Sequence, residues 1–300
     1  MNFHKSVLLK ETIDFLNIQK GKKYIDATLG GAGHSLAILK RGGRVLAIEW
    51  DSDALSFAKK RIEEEGYTAG KEIILAKGNF KDIKEIARLN DFLEVEGIIF
   101  DLGVSSYQLD RKDRGFSFLR DGPLDMRMSK DLSVKAADLL NVLSRKELYE
   151  IFYRFGEEHR ARTVSDSIVR ARRIKIFETT NDLVEVIKNA YGIRAKELSN
   201  KIKASISKRV FQGLRIAVNS ELDNLKEAIP SSLEVVRHGG RIAIISFHSL
   251  EDRIVKQVFK EFSEKNKGKA LTKRPIIPNI EEMESNRRGR SSKLRVFEKL

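Results

Sequence analysis

Four short apolar runs set the rhythm of the first hundred residues: Tyr24–Leu29, Arg44–Ile48, Ile73–Ala76 and Gly97–Phe100. Around them Ser6–Asn17, the stretch opened by Leu36–Leu39, Ala54–Glu65 and Asp82–Leu89 have helical apolar spacing. Strands that are mostly apolar along their length, with helices between them, predict a parallel sheet buried on both faces. The rhythm stops at Val104. From there to Gly240 the sequence offers no convincing strand, only helix signals. Ser144 and Glu147 form a capping-box pattern ahead of Leu148, Ile151 and Phe152. Thr179-Thr180-Asn181 precedes Leu183, Val186 and Ile187, and Val210–Ile229 keeps helical spacing throughout. Strand character returns at Arg241–Phe247, behind Gly239-Gly240 in the place expected of a helix C-cap. The gap of 137 residues is far longer than a parallel crossover needs. The expected organisation is therefore a discontinuous α/β domain, residues 1–110 and 216–300, with an all-helical domain, 111–215, inserted between the fourth and fifth strands. A helix over Leu250–Phe262 and strands at Ile276–Ile277 and Leu294–Phe297 should complete it.

Composition narrows the function classes. The chain has no cysteine, so disulfide frameworks, thiolate metal sites and cysteine nucleophiles are excluded. Its five histidines (His4, His34, His159, His238, His248) lack metal-ligand spacing, and no metal is expected. No apolar run approaches the ~20 residues of a membrane span, and residues 1–5 lead into an amphipathic stretch rather than a signal-peptide core. A cytoplasmic protein is expected. The net charge of +14 is localised: 17 basic against 9 acidic residues over 141–215, 14 against 8 over 251–300, and neutrality elsewhere. Two positive regions beside a neutral body suggest a polyanion track flanking a site.

The first strand runs through Asp26 into Thr28-Leu29-Gly30-Gly31-Ala32-Gly33-His34, and a helix follows. Such a loop lets a ligand approach the amides at a helix N-terminus. The second strand ends in Glu49-Trp50-Asp51, where a carboxylate is placed to accept hydrogen bonds from ribose hydroxyls. Leu36 occupies the third glycine position of the dinucleotide pattern, which argues against NAD. Asp26, an awkward neighbour for a pyrophosphate, suits a cationic ligand such as a sulfonium, which favours S-adenosylmethionine. Asn79-Phe80, after the third strand, offers an amide and an aromatic face to adenine. The fourth strand ends in Asp101-Leu-Gly-Val-Ser105-Ser106-Tyr-Gln108 and the fifth in Ser246-Phe-His248-Ser-Leu-Glu-Asp-Arg253. A Ser/His/Asp hydrolase is a weaker reading of the latter, because no nucleophile elbow appears.

These segments resemble one family in particular. Asp101–Leu109, Arg114-Gly-Phe-Ser-Phe118, Gly122-Pro-Leu-Asp-Met-Arg-Met128 and Ser246–Arg253 are similar to the RsmH (MraW) family of bacterial small-subunit ribosomal RNA cytidine N4-methyltransferases. His4-x-Ser-Val-Leu-Leu9, Gly30–His34, Phe211–Ile216 and Arg290–Arg295 fit the same family, in order, along essentially the whole chain. The resemblance implies a Rossmann-like methyltransferase sheet with a helical insert, S-adenosylmethionine as donor, and a cytidine of the 16S rRNA decoding region, within the small subunit, as acceptor. Matching positions make Ala32, Gly33, His34, Phe80, Asp101 and Gln108 cofactor contacts, with Asp26, Gly31 and the carboxylate of the second strand end beside them. Glu49 stands where that family usually has Asp, which leaves Asp51 as a rival for the ribose. The family slot after the fourth strand lacks the Pro-Pro-aromatic of many amino-methyltransferases, so a variant mechanism is expected. Asp101, Ser105, Ser106 and His248 are the candidates near the reacting amine. Arg114, Phe116, Asp125 and Arg127 are candidates for gripping the extruded nucleotide. Arg287, Arg288 and Arg290, with Lys293 and Arg295, and in the insert Arg170, Arg172, Arg173 and Lys175, are expected on phosphates.

Overall fold

The computed structural model describes residues 6–195 and 198–300, and only the backbone at Ser106, Arg287 and Arg288. The chain divides into two compact units, one formed by the residues up to Ser106 together with Leu222–Leu300, the other by Tyr107–Glu221. The boundaries expected after residues 110 and 215 thus fall after 106 and 221.

The chain begins with α1 (Leu9–Leu16), β1 (Lys23–Asp26), α2 (Gly33–Lys40), β2 (Arg44–Glu49), α3 (Ser52–Glu64), β3 (Ile73–Lys77), α4 (Ile83–Leu89) and β4 (Val95–Asp101). Then come α5 (Ser106–Asp110), α6 (Ala136–Val142), α7 (Arg145–Glu150), α8 (Ala161–Ala171), α9 (Thr180–Ala190) and α10 (Asn200–Asn219). The remainder is α11 (Glu221–Val235), β5 (Val236–Ser246), α12 (Ser249–Glu264), β6 (Gly268–Ala270), α13 (Ile280–Ser285) and β7 (Lys293–Lys299). Among the described residues no helix is long and apolar enough to cross a membrane.

The first unit is a doubly wound, Rossmann-like α/β sheet of order β3-β2-β1-β4-β5-β7-β6. β1 to β5 are parallel, and β7 runs antiparallel to β5 and β6. Side chains alternate between two buried faces. Ile25, Leu46, Ile48, Ile98, Phe100, Ile242 and Ile244 pack on one side with Leu225, Ile229, Phe259 and Phe262. Tyr24, Val45 and Ala47 pack on the other with Leu36, Ile38, Ala58 and Ile62, and Ile99, Ala243 and Ile245 with Leu8 and Leu16. Because both faces need apolar residues, each strand reads as an apolar run rather than an alternation. The order reverses at β1 and β4, so the crevice of the fold opens at their carboxyl ends.

Three expectations need correction. Gly239-Gly240 is no helix cap, because it lies inside β5. Val236 pairs with Val95 and Arg241 with Gly97, so β5 bulges there. A Cβ on Gly240 would sit 3.0 Å from the carbonyls of both Val95 and Glu96, which explains the glycine. The single helix read over Val210–Ile229 is two, broken at Ser220 in the left-handed region (φ 49°). Ile276 makes only an isolated bridge to Leu294; the edge strand is β6, whose Gly-Lys-Ala sequence has no apolar pattern to read.

The second unit is helical, with one isolated bridge, Pro123 to Thr179, among its described residues. Leu140, Leu148, Phe152, Val164, Ile168, Leu183, Ile187, Val210 and Leu214 are buried. The capping box expected at Ser144 forms, the Glu147 amide donating to Ser144 Oγ (3.3 Å), and Thr179 caps α9, its Oγ1 accepting from the Asp182 amide (3.2 Å). After α7 the chain widens into a π-turn over Ile151–Phe155. The side-chain amide of Gln212 caps the Phe155 carbonyl there (3.0 Å), which gives the Phe211–Ile216 motif a structural reason.

Candidate active site

The carboxyl ends of β1, β2 and β4 converge on the glycine loop. Asp26 closes β1. Its Oδ2 accepts from Ser35 Oγ (2.7 Å) and its Oδ1 from the Thr28 amide (3.2 Å). Burial raises its pKa, and those two hydrogen bonds only partly oppose the rise. Asp26 therefore faces its own loop and the first turn of α2, and is itself almost fully buried. Thr28 ties the two central strands, its Oγ1 accepting from the Asp101 amide at 2.6 Å.

Gly30 (φ 48°) and Ala32 (φ 62°) both sit in the left-handed region, which turns the chain sharply into α2. The N-cap residue Ala32 offers no side-chain acceptor, and the Asp26 carboxylate accepts from the Ser35 amide in the first turn of α2. The loop is held from two sides. The Gly30 amide donates to Glu49 Oε2 (2.9 Å), and the Arg61 guanidinium of α3 donates to the Gly31 carbonyl. Glu49 Oε1 accepts from the Asp51 amide (2.9 Å). Burial pushes the Glu49 carboxyl up to about 7, against the pull of those amide donors. Asp51 is fully buried and caps α3 by accepting from the Asp53 amide (3.0 Å). Of the two acids, Glu49 is the one whose carboxylate is bonded to the loop.

His34 lies in the first turn of α2, 4% exposed. Burial holds its imidazole down at about 4, so it is neutral at ordinary pH. Its Nδ1 stands 3.7 Å from Asp101 Oδ2, a polar contact rather than an ion pair in that state. Ser105 lies against the loop: a Cβ on Gly30 would be 3.7 Å from the Ser105 Cβ. Ser106 is described by its backbone only. Phe80 opens the turn after β3 and meets Phe100 edge-on (5.7 Å, 89°), with Asn79 accepting from the Lys81 amide beside it.

Other expected site residues are placed differently. His248 is the N-cap of α12: its Nδ1 faces the Glu251 amide (3.4 Å), and Glu251 Oε2 accepts from the Phe247 amide (2.8 Å). Asp252 accepts from Arg295 Nε (2.6 Å) and Lys293 Nζ (3.1 Å). The Ser246–Arg253 motif thus caps a helix and clamps β7, and two of the five C-terminal cations expected on phosphates, Lys293 and Arg295, are engaged within the fold. Arg290 is exposed, its Nε donating to the Met283 carbonyl (3.1 Å). The side chains of Arg287 and Arg288, and all of His4, lie outside the described residues.

In the second unit Gln108 is buried on α5. Arg114 is also buried and donates to the carbonyls of Arg127 (2.8 Å) and Met128 (3.0 Å). Asp125 and Arg127 form a two-pronged pair at 2.7 and 2.9 Å. Burial works against the Asp125 charge, but the Arg127 bonds outweigh it and hold the carboxyl below its usual range. Phe116 is buried, and Phe118 packs edge-on against Phe211 (5.6 Å). Arg114, Phe116, Asp125 and Arg127 therefore build a self-closed loop and do not project as free arms. Sequence reasoning gave no role to Thr28 or Arg61. Thr28 was at least inside the loop motif, whereas Arg61 is one of several cations on a charged helix and carried no signal.

The site thus presents a tightly turned glycine backbone, the Glu49 carboxylate, an aromatic edge and a second acid, a set suited to a ligand bearing vicinal hydroxyls and a cationic centre. Residues 1–300 match the family model described as the MraW methylase family. The chain is 44% identical to the ribosomal RNA small subunit methyltransferase H of Carboxydothermus hydrogenoformans over 313 residues, covering 99% of this chain and 98% of the relative. It is 42% identical to the protein of the same name from Brevibacillus brevis over 315 residues, again covering 99% and 98%.

Proposed function

The chain belongs to the MraW methylase family, and on that premise we propose that it transfers a methyl group from S-adenosylmethionine to the N4 amine of a cytidine in the decoding region of 16S rRNA. It is an S-adenosylmethionine-dependent rRNA methyltransferase, and the small ribosomal subunit in the cytoplasm is its proposed setting. The observation that carries the reading is the Glu49 carboxylate bound to the Gly30 amide at the switch point of the sheet. The bound cofactor supplies an electrophilic methyl group on a sulfonium.

The protein's own residues supply the rest. Glu49 keeps lone pairs for ribose hydroxyls, and the Gly30–Gly33 backbone lets the ligand approach closely. Phe80 offers its ring to adenine. His34, held neutral, adds no positive charge beside a sulfonium and leaves the Asp101 carboxylate to face it. Cytosine N4 is a weak nucleophile because its lone pair is delocalised into the ring. An acceptor for its N–H bonds lets the nitrogen pyramidalise as it attacks, and Asp101, with Ser105 beside the loop, is the proposed acceptor. Most of the rate gain would come from holding nucleophile, methyl and sulfur in line.

The test is direct. Small subunits lacking the modification, incubated with the protein and labelled S-adenosylmethionine, should gain one methyl group that maps by mass spectrometry to a cytidine N4. Absence of incorporation, or a methyl on another base, would overturn the reading.

The pH dependence of cofactor binding follows from Glu49. An ionised carboxylate accepts from both ribose hydroxyls, and a protonated one loses an acceptor. With the group at about 7 in the free protein, affinity should rise with pH, by roughly tenfold between pH 6 and 8, and level off above. Calorimetric titration at stepped pH checks this, and Glu49→Gln should flatten the profile.

A further inference from the structure

The helical unit carries a patch that this chemistry leaves unused. Asn141, near the end of α6, and Phe177 hold each other through two hydrogen bonds of 2.9 Å, Asn141 Nδ2 to the Phe177 carbonyl and the Phe177 amide to Asn141 Oδ1. Arg172 donates to the carbonyls of Leu140 (2.8 Å) and Leu143 (2.6 Å). These four bonds fasten the last turn of α6 to residues 172–177. Three aliphatic side chains stand on the fastened segments and face water: Val142 at 77% exposure, Ile174 at 91% and Ile176 at 57%. The backbone beneath Ile174 is closed, since the amides of Ile174 and Lys175 both donate to the Ala171 carbonyl (3.0 and 3.1 Å). Ile174 is therefore presented by a fixed turn.

Within the turn itself the charge has one sign, and the acids near it, Asp182, Glu178 and Asp121, act on Lys175. Residues 170–176 contain Arg170, Arg172, Arg173 and Lys175 and no acid. Arg172 is spent on α6, and Lys175 pairs with Asp182 (2.7 Å). Arg170 and Arg173 are exposed, and the described contact of the Arg170 guanidinium is a long one, 3.4 Å to Ser167 Oγ. A protein partner would need a face that is apolar and acidic together. A structured RNA offers phosphates for the two guanidiniums and, where bases are unstacked, flat apolar surface for an isoleucine.

We infer that this patch is a docking surface for ribosomal RNA outside the target nucleotide, with Arg170 and Arg173 on phosphates and Ile174 as an apolar wedge against an unstacked base or a ribose. The inference rests on the rRNA methyltransferase reading. It gives the insert a measurable share of RNA affinity with no part in the methyl transfer itself.

The experiment uses the full-length protein, unmodified small subunits and, separately, protein-free 16S rRNA. If the wild type transfers no methyl group to the subunits, the functional reading fails, and the docking inference is then judged by protein-free RNA binding alone. With the wild type active, Arg170→Ala/Arg173→Ala and Ile174→Ser should each raise KM for subunits about tenfold with kcat and cofactor affinity unchanged. The double variant should also flatten the dependence of log affinity on log salt by about 1.8, at about 0.9 per lost phosphate contact. Binding to protein-free rRNA should weaken in parallel, and Arg170→Lys/Arg173→Lys should restore most of it. An unchanged KM and rRNA affinity would overturn the inference. So would weakening confined to intact subunits, which would make the partner a ribosomal protein. A fall in thermal midpoint with no rescue by the lysine pair would reduce the arginines to a structural role and overturn it equally.

Discussion

Glu49→Ala should weaken S-adenosylmethionine binding about a hundredfold, about 2.7 kcal/mol, while the protein stays folded. The carboxylate holds the Gly30 amide at 2.9 Å and the Asp51 amide at 2.9 Å. Hydrogen bonds to a charged group contribute about 1.5–3 kcal/mol each, and the variant loses the ribose acceptors together with the tie that fixes the loop. Glu49 lies at the tip of β2, not in either packed face, so the sheet core is untouched. Glu49→Asp keeps the charge but retracts it from Gly30 and should fall between the two. Isothermal titration on the three proteins decides the matter. Equal affinities would mean that the ribose is held elsewhere, and the placement of the cofactor on this loop would be wrong.

The second large effect is on stability. Gly115→Ala should lower it by about 3–5 kcal/mol, a fall in thermal midpoint of roughly 10 °C. Gly115 has φ 69°, and an alanine Cβ there would stand 2.3 Å from the Pro123 carbonyl oxygen and 2.7 Å from the Asp125 amide nitrogen. Neither neighbour is a flexible side-chain end, so the backbone itself must move. The movement would pull apart the bond from the Met126 amide to the Arg114 carbonyl (3.0 Å) and strain the Arg114 contacts to residues 127 and 128. A midpoint within a degree or two of wild type would show that the loop adapts, and would return Arg114 and Arg127 to consideration as substrate arms. The prediction thus separates two meanings of the same motif, a loop that must fold and a hand that must grip.

Much of the α/β frame was legible because burial on both faces leaves a direct trace. Ile25, Leu46, Ile98 and Ile242 pack on one side of the sheet, while Tyr24, Val45, Ile99 and Ala243 pack on the other. The strands holding them read as apolar runs for that reason alone. β6 escaped notice because a three-residue edge strand, Gly268–Ala270, buries too little to leave a pattern. The break at Ser220 escaped because one residue in the left-handed region does not disturb the apolar spacing on either side of it.

The site divides along the same line. Local sequence sets the glycine loop, its following helix and the acids that end β1, β2 and β4, since each follows from chain order and strand length. Composition located the charge, and the ordered motifs carried the resemblance to the family that names the chemistry. Only the tertiary structure decided how those polar groups are spent. It made Asp51 a helix cap, His248 another, Asp252 a clamp on β7 and Arg114 a buried brace, while Glu49 remained at the loop. A polar residue's type fixes what it can bond to, but its partner is chosen by whichever donor or acceptor the packed chain brings within about 3 Å, often from a hundred residues away.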